Sequence, residues 1–158
     1  MSEEAIAARE ALASEIAGRL AQAMSDQGYT ATAVQTSKTD TGNGEAVFEA
    51  TVAGDVVSVY VTSCSTAYVT SCSTADMAEK TFEANCTDEE GQNMAVMNEW
   101  TANGNTVRVV RNNRANRNYI EILATKQKSA IHIQDELPEQ LDPVLQVVQA
   151  AGYPVSES

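Results

Sequence analysis

An α+β fold is predicted for this 158-residue chain: an antiparallel sheet of hairpins packed against N-terminal, central and C-terminal helices. Three observations carry that prediction. Residues 2–27 place apolar side chains at helical spacing. Residues 45–63 alternate apolar and polar about a turn. Val144, Val147, Val148 and Ala151 form an apolar stripe behind Asp142-Pro143. A chain of this length is most simply one domain, residues 1–158. It can bury about two-thirds of its unfolded surface, so it folds without staples. With two Phe and one Trp, the core is built mainly from Val and Ala.

In the first helix Ser2 is a candidate cap, and Glu3 and Glu4 sit where the helix dipole favours acids. Leu12, Ile16, Leu20 and Met24 recur every four residues, with alanines widening the stripe. Glu15 and Arg19 pair on the exposed side, and Gly28 is the stop. Residues 29–37 have β-like Thr and Val density, and residues 41–44 are a turn cluster. The stretch EAVFEATVAGDVVSVYV reads as a hairpin with Gly54-Asp55 as its loop. That loop sets Val52 against Val57, Ala50 against Val59 and Phe48 against Val61, all on one face. Thr51, Glu49, Ser58 and Tyr60 then lie on the other.

Residues 60–75 are one octad written twice, YVTSCSTAYVTSCSTA. An even insertion moves no strand residue to the wrong face, and it adds ~26 Å of strand. One copy is expected to pair normally. The other is expected to overhang, loop out or pair with another chain, which makes Tyr60, Cys64, Tyr68 and Cys72 the repeat and edge residues. Two copies fall short of the three a stacked solenoid needs. Of the three cysteines, Cys72 and Cys86 flank a helix about 20 Å long and are too far apart to bridge. A Cys64–Cys86 disulfide forms if the strand runs out through the octad and the helix runs back along it.

Residues 73–86 read as that short helix, with Ser73 and Asp76 near its start and Met77 and Phe82 toward the core. Residues 87–102 support two readings. Thr87 and Glu90 make a capping box for a helix that ends at Asn103-Gly104. The same Asn103-Gly104 is a hairpin signal that sets Glu99 against Arg108 and Trp100 against Val107. Strands near 105–111 and 118–126, joined by the polar stretch 111–118, are common to both. In the last helix, 143–151, Asp142 is the cap, Pro143 the first position and Gly152 the stop.

The net charge of −12 argues against nucleic acid, whose phosphates need a basic surface, and suits a soluble protein or one that meets basic partners. Charge is uneven, however. Residues 108–128 hold six of the ten Lys and Arg residues and one acid, Glu121, so this segment is net +5 and the remainder net −17. This basic face meets the protein's own acidic helices, or Arg108, Arg111, Arg114 and Arg117, with Trp100, form a docking patch for an acidic partner; an arginine-rich RNA-binding loop is the third reading, disfavoured because no stacking aromatic is interleaved apart from Tyr119 at the edge. No stretch approaches a membrane span, and the N-terminus lacks the basic start and apolar run of a signal peptide. A cytoplasmic location follows; a mature secreted chain is the alternative, and the sequon Asn85-Cys86-Thr87 keeps it open.

The chain has no Gly-rich phosphate loop, HExxH, CxxC or GxSxG. No cofactor, metal site or catalytic residue is assigned. The single histidine, His132, lies in AIHI and reads as an ordinary strand residue, with a Cys–His nucleophile pair as the alternative. Glu89-Glu90 and Asp135-Glu136 read as solvated loop charges.

The helix 2–27, hairpin 45–63, strands near 105–126 and helix 143–151, with the acidic charge, resemble the type III secretion chaperone-like fold. That fold includes the class I effector chaperones and the YbjN-type regulators. The resemblance is one of topology and charge. It implies a non-enzymatic, chaperone-like protein-binding module that forms a homodimer and holds an extended partner segment along a sheet edge or in an apolar groove. A self-assembling subunit joined through 60–75 and a small Cys/His-dependent enzyme are the alternatives.

Overall fold

The computed structural model describes residues 3–38, 42–63, 77–135 and 141–156. Helix α1 runs Glu3–Asp26, close to the predicted span. It buries Ala13, Ile16, Ala17, Leu20, Ala23 and Met24, a stripe at three- and four-residue spacing. Its end follows from Gly28 at φ 88°, where the Gly28 N–H bonds the Ser25 carbonyl and the Tyr29 N–H bonds the Met24 carbonyl. That pair of bonds caps carbonyls the helix would otherwise orphan. The same pattern closes the last helix at Gly152, through Gln149 and Val148.

Among the described residues the strands are β1 Thr30–Ala31, β2 Gln35–Lys38, β3 Gly44–Val52, β4 Asp55–Ser63, β5 Ala95–Ala102, β6 Asn105–Asn112, β7 Arg117–Ala124 and β8 Ser129–Asp135. They form one antiparallel sheet in the order β1-β3-β4-β8-β7-β6-β5, with β2 also on β3. The central helix α2 is Met77–Asn85 and the C-terminal helix α3 is Leu141–Ala150. The α+β class, with helices at the N-terminus, middle and C-terminus, is therefore as predicted.

Alternation along each strand divides the sheet into two faces. One face, with Phe48, Val57, Val59, Val61, Val107, Val109, Ile120, Ile122, Ile131 and Ile133, joins the stripes of α1 and α3 in the main core. The other face packs Val110, Tyr119 and Ala130 against Phe82 of α2 and Cys86 just after it. Strand β7 is covered on both sides and is buried along almost its whole length. Helix α1 lies so close to the start of β3 that a Cβ on Gly44 would come within 2.2 Å of the Arg9 backbone.

The β3–β4 hairpin has the predicted faces with a different register. Its loop is Ala53-Gly54, not Gly54-Asp55, so Val52 faces Asp55, Ala50 faces Val57 and Phe48 faces Val59. The shift is two residues, so every core residue stays on the core face. Ala53 (φ 54°) and Gly54 (φ 90°) both take left-handed dihedrals, the geometry of the two-residue turn whose twist matches its strands. The β5–β6 turn uses the same geometry with the preferred residues, Asn103 (φ 55°) and Gly104 (φ 81°). Left-handed backbone costs a residue with a Cβ ~1 kcal/mol, and asparagine less than alanine. Ala53→Gly and Ala53→Asn are therefore expected to raise stability by up to ~1 kcal/mol. Urea denaturation checks this, and an unchanged midpoint would contradict the turn assignment.

Of the two readings of 87–102, the hairpin is the one that forms. Glu99 faces Arg108 and Trp100 faces Val107, as that reading required. Strand β7 stops at Ala124 rather than 126, because Thr125–Gln127 tighten into a 3₁₀ turn that leads through left-handed Lys128 into β8. Strand β8 returns to pair with β4 as well as β7 and so joins the two hairpin systems. Helix α3 begins at Leu141, which places Asp142 inside the first turn instead of at the cap. The first four residues of the octad continue β4 between β3 and β8. The rest of the octad, the start predicted for the central helix, and Ser2 lie outside the described residues.

Candidate functional site

On the α2 face, β7 and β8 bring one acid and the only histidine together. Glu121 and His132 are direct cross-strand partners. His132 Nδ1 is 2.6 Å from Glu121 Oε2 and 2.9 Å from Oε1. The Glu121 side chain is 0% exposed and that of His132 is 22% exposed. Burial raises the Glu121 carboxyl to about 7, against the pull of the hydrogen bond and charge of His132. With Glu121 ionised, Nδ1 is the donor and Nε2 is left as the acceptor of the ring. The rings of Tyr60 and Tyr119 flank His132 at 5.7 and 5.4 Å. The space beside this pair and α2 is a cleft of about 300 Å³ lined by Tyr60, His132 and Gln134 among others. Its lining is mostly polar.

The predicted arginines do not share one face: in β6, Arg108 points to the α2 side with Val110, and Arg111 points to the side of Val107 and Val109. Three of the four meet the protein's own polar groups. Arg108 stacks over the Phe82 ring at 4.7 Å, reaches Glu83 at 3.2 Å and pairs with Glu99. Burial works against its charge, yet the hydrogen bonds to Glu99 and Cys86 and the nearby acids outweigh it and raise its pKa. Arg111 bonds the side chains of Asn113, Asn116 and Asn118 within its own turn. Arg114 pairs with Glu90 and stands 4.0 Å from Asp88, so Glu90 is not a free loop charge. Arg117 is exposed at the start of β7. A large cleft of about 610 Å³ lies between Arg114, Arg117 and the acids 88–90. The basic stretch thus finds much of its counter-charge inside the chain.

Cys86 is a buried free thiol beneath this cluster, 3.8 Å from Arg108 Nη1. Burial pushes it up to about 11, so it is a neutral thiol at physiological pH and a poor nucleophile. Cys64, Tyr68 and Cys72 lie outside the described residues, and with them the Cys64–Cys86 pairing. Tyr60 sits inside the sheet between β3 and β8. Among the described residues, no group of three or more His, Cys, Asp or Glu is placed to hold a metal ion. None of the described helices is long and apolar enough to cross a membrane.

Strand β5 is the outer strand beyond β6, and its outward side is unpaired among the described residues. Every residue in it is exposed except the half-buried Trp100, which packs on the main core and anchors the strand. Val96 and Met97 are 54% and 58% exposed, the most exposed large apolar side chains among the described residues. They sit at a bulge, where the pairing skips Met97 between Val96 and Asn98.

Two buried charged groups escaped the sequence. Glu121 lies within the apolar run YIEIL, and an acid there is the signal of a buried partner. Arg9 is 2% exposed within α1 and bonds the Gly42 carbonyl and Asn43 Oδ1, which ties the helix to the entry of β3. Its guanidinium pKa is lowered by burial. No protein-family model matches the chain, and neither a curated protein nor a solved structure does.

Proposed function

We propose that this protein is a non-enzymatic protein-binding module, chaperone-like in character, that takes an extended segment of a partner as an added strand on β5. The observation that carries the reading is the outward edge of β5 with Val96 and Met97 exposed beside it. An open strand edge offers a row of backbone donors and acceptors, and neighbouring apolar side chains supply selectivity. Trp100 holds the strand in place from the core side. A second copy of the chain, pairing β5 to β5 in a homodimer, is the self-complementary form of the same contact.

Panning a library of random 12-residue peptides against the immobilised chain tests this. Apolar, β-prone peptides are expected to be enriched, and the double variant Val96→Lys/Met97→Lys is expected to bind them at least tenfold more weakly. Both positions are more than half exposed, so the variant keeps the fold. Enrichment that survives the double variant would move the site elsewhere. An absence of enrichment would remove the reading.

A further inference from the structure

We propose that the cleft beside α2 is a second, independent site, and that it binds a small, neutral, hydroxyl-rich molecule of the sugar or polyol class. The cleft holds about 300 Å³ and opens over the neighbouring residues Tyr60 and His132 of β4 and β8. Its polar groups are of both kinds. The hydroxyls of Thr62 and Thr81 and the amides of Asn85 and Gln134 can each donate and accept, and Glu45 adds an acceptor. No Lys, Arg or aliphatic side chain lines it among the described residues. A phosphate or carboxylate would find no counter-charge there, and an apolar ligand no apolar wall. A molecule with several hydroxyls matches such a lining, to which Tyr60 adds a phenol hydroxyl.

His132 is built into this wall. The fully buried carboxylate of Glu121 grips Nδ1 at 2.6 Å, fixing the ring's orientation, and Nε2 is its remaining polar atom. A buried carboxylate contributes little to folding unless its partner repays the loss of water. Here the partner is the one side chain of the pair that reaches the cleft. A second cleft of about 210 Å³ shares Asn85, His132 and Gln134, but Ala84, Met94, Asp88 and Glu89 also line it, so the polyol site is confined to the first cleft.

The chain's single histidine makes the test direct, because its ring protons give isolated NMR signals. Glucose, N-acetylglucosamine and glycerol are titrated into the protein, with inorganic phosphate and decanoate as controls. A saturable shift of the His132 signals is expected with at least one sugar and with neither control. Binding is expected to weaken at least tenfold in His132→Phe and in Gln134→Ala, followed by calorimetry. Gln134 lines the cleft and is not buried, so its variant serves if His132→Phe fails to fold. No saturable shift with any of the three probes would overturn the proposal, as would binding of phosphate or decanoate in their place. Sugar binding unchanged in the Gln134→Ala protein would overturn it too.

Discussion

Gly44→Ala is expected to be the most damaging single methyl that can be added to this protein. A Cβ at this position would stand 2.2 Å from the carbonyl carbon and oxygen of Arg9 and 2.3 Å from the Glu10 nitrogen. These are backbone atoms of α1, so no side chain can swing aside. The helix must lift from β3, and with it go the packing of its apolar stripe and the hold of Arg9 on residues 42 and 43. Overpacking costs 1–3 kcal/mol where side chains give way, so about 3 kcal/mol or more is expected against rigid backbone. Thermal or urea unfolding checks it. Gly18, where a Cβ meets nothing within 4 Å, is the control. Gly18→Ala should leave stability unchanged or raise it by up to ~1 kcal/mol, since alanine is the better helix former. Equal stability of the two variants would mean that α1 does not cross Gly44 as described.

Glu121→Gln is expected to change how stability depends on pH. The carboxyl has a folded-state pKa of about 7 against an ordinary value of 4.5, chiefly because it is buried. The folded protein therefore holds this proton more tightly than the unfolded chain does. Its contribution is fully present below about pH 4.5 and is lost as pH rises through about 7. At 1.36 kcal/mol per pKa unit, wild-type stability relative to the variant should fall by roughly 3 kcal/mol between pH 4 and pH 8. The groups that face Glu121 are His132 on β8, the cross-strand Arg108 on β6 and Cys86 just after α2. Of these Arg108 is already engaged by Glu83 and Glu99. Comparing the two proteins by urea denaturation at each pH cancels the other 21 acids. Parallel stability curves would show that Glu121 is ionised throughout that range.

The features legible in the sequence are those whose cause is local. Gly28 and Gly152 end helices because their neighbours cannot adopt the left-handed turn that closes them. Asn103-Gly104 specifies its hairpin for the same reason, although a capping box upstream supported a helix as the alternative. The β3–β4 register was misplaced by two residues because Ala53 takes a left-handed dihedral that nothing about alanine announces. The alternation of the two strands survived the error because a shift of two preserves the faces. The pairing of Glu121 with His132 was hidden, since it depends on the turn at 125–128 setting the β7–β8 register. The arginines were visible as a basic block, yet their partners Glu83, Glu90 and Glu99 come from three other segments. The outward edge of β5, unpaired among the described residues, is a property of the whole sheet order and has no local signature.

Amide hydrogen exchange across residues 95–102 tests the β5 account most directly, measured on the free chain and with a peptide selected by panning. The free chain should exchange its outward β5 amides fast, while the amides of β7 and β8, paired on both sides, stay protected. Bound peptide should slow the outward β5 amides selectively. Unchanged exchange along β5 in the presence of saturating peptide would contradict strand addition at this edge.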